Sequence, residues 1–157
     1  MKRPRLIVTL GDVAGIGPEI VVRAWPQLTR LGDIVVAGDR AWLESAARRW
    51  GQGLWIREVK DASEASGDVS EVAVIQATSV KLSQVRRGRV SAEAGRAAFD
   101  FLCRAIDETM ARRADAIVTA PVHKEGLHAA GLAYPGHTEI LADKTGATRQ
   151  AMLLHGR

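Results

Sequence analysis

At 157 residues, 46% hydrophobic and 25% charged, the chain has the make-up of one ordinary globular domain with a real core. Its formal charge of +4 is the balance of 22 bases and 18 acids, and aromatic residues, at 4%, are too sparse for base-stacking platforms, so nucleic acid is not an expected partner. No apolar run approaches the roughly 18 residues of a membrane span, and a single cysteine, Cys103, rules out an internal disulfide.

The short arginine clusters, Arg48-Arg49, Arg86-Arg87-Gly88-Arg89 and Arg112-Arg113, fit solvated helix ends and loops. The basic start, MKRPR, precedes an apolar run from Leu6 to Leu10 that is too short for a secretory signal. A cytoplasmic protein is the expectation. Cys103 falls among apolar residues of a predicted helix and reads as a buried, inert thiol.

Leu6 to Leu10 is β-branched and apolar and predicts a buried strand that turns at Gly11. Pro18 and Glu19 suit the first turn of a helix, with Pro26 set to kink or end it. Asp33 to Gly38 is a second strand. Arg40 to Trp50 is a helix with Trp42, Leu43, Ala46, Ala47 and Trp50 on one face. Leu54-Trp55-Ile56 is a short strand, Lys60 to Ser70 an irregular surface segment, and Val72 to Ile75 another strand. After a basic connection from Ser79 to Val90, Ser91 caps the longest helix, which runs to about Arg113. Asp115 to Thr119 follows, with Ala116-Ile117-Val118 read as a buried strand. Ala151 to Leu154 starts like one more strand. Strands alternating with helices predict an α/β fold, a largely parallel sheet with flanking helices and no internal boundary. The run ending at Arg157 reads as a fold cut off part-way.

Two loops can carry chemistry. In Gly11-Asp12-Val13-Ala14-Gly15-Ile16-Gly17-Pro18-Glu19, glycines between a strand and a helix let backbone N–H groups approach an anion. The spacing is neither a Walker loop nor the dinucleotide fingerprint. Two readings stand: a structural turn held by Asp12, or a ligand loop using Asp12, Gly15 and Gly17. The second loop, Thr119 to Leu141, gathers Pro121, His123, Lys124, His128, Gly136, His137, Thr138 and Glu139. Thr138 is placed to cap a helix, with Glu139 in its first turn and His137 projecting at its start. A solvated surface cap and a grip on a phosphate or substrate oxygen are both open. His123 and His128 fall on different helix faces and make poor partners for one metal, so no metal site can be written.

VTLGDVAGIGPEI, SAEAGRAAFDFL, DAIVTAPVHKEGLHAAG and YPGHTEILADKTG, in that order, resemble the 4-hydroxythreonine-4-phosphate dehydrogenase family of vitamin B6 (pyridoxal phosphate) biosynthesis. The resemblance runs from Leu6 to Leu154. It implies a fold like isocitrate and isopropylmalate dehydrogenases, with two α/β domains around a cleft, assembled as a homodimer. It implies NAD(P)- and divalent-metal-dependent oxidation of a phosphorylated 3-hydroxy acid. His137 and Thr138 match the family's substrate contacts, and no catalytic residue is assigned. Val13 stands where the family has proline. His123-Lys124-Glu125 departs from the Asn-Lys of the biosynthetic enzymes and leaves open relatives that oxidise 4-phospho-threonate or 4-phospho-erythronate. Family members are roughly twice this length, in keeping with two domains. By the resemblance, their metal-ligand histidines, the basic and amide residues that grip the substrate phosphate, and most of the dinucleotide pocket match no stretch of this chain. The expectation is an N-terminal portion, inactive alone, or a non-catalytic module that pairs with a separately encoded second half.

Overall fold

A computed structural model describes residues 3–51 and 53–156. Met1 and Lys2 of the basic start, Gln52 and Arg157 lie outside the described residues.

The β-branched runs form five parallel strands, β1 (Arg5–Thr9), β2 (Asp33–Gly38), β3 (Trp55–Glu58), β4 (Glu71–Gln76) and β5 (Ala116–Thr119), in the order β3-β4-β2-β1-β5. The helices are α1 (Gly17–Leu31), α2 (Arg40–Trp50), α3 (Ala92–Met110), α4 (Lys124–Ala129) and α5 (His137–Thr145). Strand alternation divides the core. Val8, Ile34, Val36, Val72 and Val74 face α1 and α2, packing on Val21, Val22, Trp25, Leu43 and Ala46. Ile7, Val35, Ala37, Ala73 and Ile75 face the other way, onto Ala105 of α3 and Ala114. A third cluster joins α3 to α4 and α5 through Leu102, Ile106, Leu127 and Ile140. Here α3 and α4 touch backbone to backbone. A Cβ on Gly95 would fall inside contact distance of the Gly126 carbonyl and 2.8 Å from the Leu127 nitrogen.

Several expectations are corrected. The strand at Ala116–Val118 is not buried. Among the described residues β5 is an edge strand paired only with β1, and Val118 is 41% exposed. Ala151 to Leu154 forms no strand, and Leu153 is almost fully exposed. Pro26 does not end α1, which runs on to Leu31. The longest helix stops at Met110. Arg112 takes a left-handed φ of 58°, and Arg113 turns back to Glu108. The segment Lys60–Ser70 holds a 3₁₀ turn at Ala62–Glu64 and a bridge between Ser66 and Ile34. The third strand is shifted to Trp55–Glu58. Ser91 caps α3 as expected, accepting from the Ala94 N–H. Among the described residues no helix is long and apolar enough to cross a membrane.

Candidate functional site at the carboxyl edge of the sheet

β1 lies between β2 and β5, and the chain leaves these strands in opposite directions. After β1 it enters α1 on one face. After β5 it enters α4 and α5, which pack with α3 on the other. Adjacent parallel strands whose connections leave toward opposite faces mark the crevice position where open α/β sheets bind ligands, and the loops at the carboxyl ends of β1 and β5 stand there. These two loops are the ones that sequence analysis singled out.

Their bases are joined. The Asp12 N–H donates to the Pro121 carbonyl at 2.9 Å. Gly11 takes a φ of 65°, and a Cβ there would run into the same carbonyl, so this position needs glycine on two counts. The Asp12 carboxylate accepts from the Ala14 N–H at 2.9 Å, and the Asp12 carbonyl accepts from the Gly15 N–H at 3.0 Å. Asp12 thus holds its own turn. Gly17 begins α1 with no room for a Cβ against the Leu10 carbonyl, whereas a Cβ on Gly15 would find its nearest neighbour at 3.4 Å. Of the three predicted loop residues, Gly17 has an evident steric role and Gly15 does not.

His137 is the first residue of α5 and is half-buried. Its Nε2 is shielded from solvent and has no hydrogen-bond partner among the described residues. A buried polar atom left unpaired is costly unless a ligand completes it. Burial pushes the imidazole pKa below the ordinary histidine value, and the Ala120 backbone opposes that shift in part. The neutral ring is favoured, able to donate or accept one hydrogen bond at Nε2 according to its tautomer. The contact with Ala120 also brings His137 against the end of β5. Because the folded-state pKa is depressed, His137 contributes stability above its unfolded pKa, and that contribution is lost as pH falls. NMR titration of the ring protons is expected to give a midpoint for His137 below that of a model histidine peptide. A midpoint above it would mean that an anion, not burial, governs the ring.

Thr138 is not the helix cap. Gly136 occupies that position, and Thr138 is the second helical residue, with no side-chain bond to the helix start. It lines a shallow groove of about 300 Å³ with Leu141, Ala142, Thr145 and Met152. His137 and Thr138 are neighbours in the chain but face different surroundings. Glu139 stands in the first turn as expected. His123, at the N-cap of α4, and His128, in its last turn, are both exposed. Cys103 is half-buried and its thiol pKa is raised by burial, in keeping with an unreactive side chain.

One element of the edge escaped sequence analysis. The Gly88 N–H donates to the Ala14 carbonyl at 2.7 Å, tying the basic connection before α3 to the loop after β1. A glycine inside an arginine run was the available signal, since it marks a left-handed turn, here with a φ of 72°.

Residues 30–157 match the family model described as pyridoxal phosphate biosynthetic protein PdxA. The chain belongs to the PdxA family. It is 40% identical over 149 residues to a 4-hydroxythreonine-4-phosphate dehydrogenase of Beijerinckia indica, covering 95% of this chain and 44% of that one. It is 38% identical over 153 residues to a D-threonate 4-phosphate dehydrogenase of Cupriavidus necator, covering 96% of this chain and 46% of the relative. The crystal structure of a 4-hydroxythreonine-4-phosphate dehydrogenase from Klebsiella pneumoniae superposes with a TM-score of 0.89 at 37% identity, over 98% of this chain and 47% of that one. The chain thus spans less than half the length of these PdxA-family relatives.

Proposed function

We propose that this PdxA-family chain is the N-terminal portion of a two-domain, NAD(P)- and metal-dependent dehydrogenase and holds part of its substrate site. The substrate class is a phosphorylated 3-hydroxy acid, with 4-hydroxythreonine 4-phosphate first and 4-phospho-threonate or 4-phospho-erythronate as alternatives. The observation that carries the reading is the unpaired, buried Nε2 of His137 beside the crevice between β1 and β5. In this reading His137 makes a hydrogen bond to a substrate oxygen, Thr138 adds a hydroxyl, and Asp12, Gly15 and Gly17 shape the opposite wall. Orienting the substrate is the work assigned to these residues. A homodimer in the cytoplasm completes the proposal.

The residues present do not fit a metal site. Among the described residues no group of three His, Cys, Asp or Glu side chains comes together. The glycine spacing of the first loop does not match a dinucleotide fingerprint either. Metal and nicotinamide are therefore assigned to no residue here, and no step is derived through them. The polypeptide of 157 residues is expected to bind substrate without oxidising it. Substrate-dependent NADH formation above background by the purified chain, abolished in His137→Ala, would contradict that. Calorimetric titration with 4-hydroxythreonine 4-phosphate and with D-threonate 4-phosphate then tests the choice of substrate. The biosynthetic reading expects the first to bind more tightly, and the reverse order would assign the chain to the catabolic relatives.

A second reading, a non-catalytic module that pairs with a separately encoded second half, is favoured by one feature. Among the described residues the outer edge of β5 is unpaired, its Val118 is 41% exposed, and Ile16 and Ile20 at the start of α1 are 61% and 42% exposed.

A further inference from the structure

α5 is seated on the rest of the molecule at one buried point. Ile140 is fully buried and packs with Leu102 and Ile106 of α3 and Leu127 of α4. The start of the helix is held less directly. Gly136 has no side chain to cap it, and the first-turn bond from the Ile140 N–H to the Gly136 carbonyl is long, at 3.4 Å. The Leu132 N–H donates to the Leu127 carbonyl at 2.9 Å. Beyond it, the N–H groups of Ala133, Tyr134 and Gly136 donate to no backbone carbonyl among the described residues.

Tyr134 supplies the missing hold. Its ring stacks on Phe99 of α3, with centroids 5.7 Å apart and planes inclined by 19°. Its hydroxyl donates to the Asp143 carboxylate at 2.6 Å. That bond runs from the segment before His137 to a position past Ile140, so it spans the start of the helix. It also holds the Asp143 carboxyl below the ordinary carboxylate value, with Lys144 adding to the effect, and holds the Tyr134 hydroxyl above its own. Carboxylate and phenol, the two forms that bond to each other, are therefore both present where histidine titrates.

Resting on the proposed substrate site, we infer that Tyr134 is a positioning residue: tied to α3 by its ring and to α5 by its hydroxyl, it fixes the Pro135-Gly136 turn and sets His137 against the end of β5. Ile140 alone leaves a pivot about which the start of α5, and the His137 ring with it, would swing away from Ala120. The Tyr134 strap removes that freedom before a ligand arrives, so less motion is lost on binding.

The test joins NMR titration of the His137 ring protons to calorimetric titration with 4-hydroxythreonine 4-phosphate, on the full chain, with thermal midpoints measured on every variant. Tyr134→Phe keeps the ring on Phe99 and removes only the hydroxyl. It is expected to move the His137 midpoint up toward that of a model histidine peptide, as water reaches the ring. Ligand affinity is expected to fall by about fivefold, with the fold retained. Asp143→Ala should give the same two changes, and the double variant no more than either alone. Lys144→Ala removes the exposed pair with Asp143 at 3.2 Å but leaves the hydroxyl bond, and should leave both readings nearly unchanged. An unmoved His137 midpoint in Tyr134→Phe overturns the inference, whether or not the thermal midpoint falls. So does a moved midpoint with unchanged affinity, or an equal effect from Lys144→Ala, which would assign the hold to the ion pair. If the unaltered chain does not bind the ligand while the His137 midpoint still moves in Tyr134→Phe, the substrate-site reading fails and the strap stands. If the unaltered chain binds and Tyr134→Phe matches it in both readings, only the strap fails.

Discussion

Gly17→Ala is expected to lower the stability of the fold by about 3 kcal/mol, the upper part of the range for overpacking a well-filled site. The added methyl would lie inside contact distance of the Leu10 carbonyl oxygen, with the Ala120 Cβ 3.5 Å away on another side. Neither neighbour can yield easily. Leu10 is fully buried and its N–H is bonded to the Ala37 carbonyl at 3.0 Å. The helix cannot retreat either, because Pro18, Val21, Val22 and Trp25 hold α1 against the sheet. The start of α1 must therefore lift, and the wall of the crevice moves with it. Thermal unfolding followed by circular dichroism should show a midpoint lowered by about 6–12 °C. Gly15→Ala is the internal control. It lies two positions away in the same loop, its added methyl would be in ordinary contact at 3.4 Å, and it should leave the midpoint nearly unchanged. Equal effects at the two positions would mean that the loop is plastic and that the fit of α1 to β1 does not govern the site.

Glu108→Ala carries the second large effect, about 1–3 kcal/mol, because it leaves the buried Ala62 N–H unpaired and removes the carboxylate that two partly exposed arginines share. Glu108 is 1% exposed. Its carboxylate accepts from Arg113 at 2.6 Å, from Arg104 at 2.8 Å and from the Ala62 N–H at 3.0 Å. It thereby ties the end of α3 to the 3₁₀ turn that leads into β4. Burial alone would raise its pKa. The bonds from Arg113, Ala62 and Arg104 outweigh burial and hold it below the ordinary carboxylate value. The sign follows: a depressed folded-state pKa gives stability that is complete above the unfolded value and is lost as pH falls through the folded one. The difference in midpoint between the parent and Glu108→Ala should therefore be largest near neutrality and shrink in acid. A difference that stayed constant into acid would show that packing, not charge, is what the substitution removes.

Much of the fold was legible because local chemistry and final environment agree. Asp33 to Gly38 and Arg40 to Trp50 have the predicted boundaries, since Asp39 and Gly51 mark the helix ends by a side-chain cap and a glycine. Ser91 was legible as a cap for the same reason. The status of β5 was not. Ala-Ile-Val-Thr has the composition of a buried strand, and whether it is buried depends on which strands lie beside it, which no local pattern states. The end of the longest helix was misread because Arg112 and Arg113 suit a last helical turn by charge, and Arg113 instead serves Glu108 from outside the helix. Glu108 itself carried a faint signal, with Arg104 four residues before it.

In the candidate site, the two loops were legible from glycine, proline and histidine content, but their meeting was not. The bond from Asp12 to Pro121 joins residues far apart in sequence, and the pairing of β1 with β5 creates it. Thr138 was assigned as a cap because threonine has the right hydroxyl, yet Gly136 takes the position. That shift by two residues makes His137 the first helical residue, against Ala120, and leaves Thr138 beside a different groove.

The central claim is that His137 completes a hydrogen bond to substrate in the crevice between β1 and β5. It is tested most directly by titrating 4-hydroxythreonine 4-phosphate into the unaltered chain and into His137→Ala, with thermal midpoints measured on both. Saturable binding that weakens about tenfold or more in the variant, with its fold retained, is the predicted result. Absence of binding to the unaltered chain, or equal affinity in the two, would contradict it.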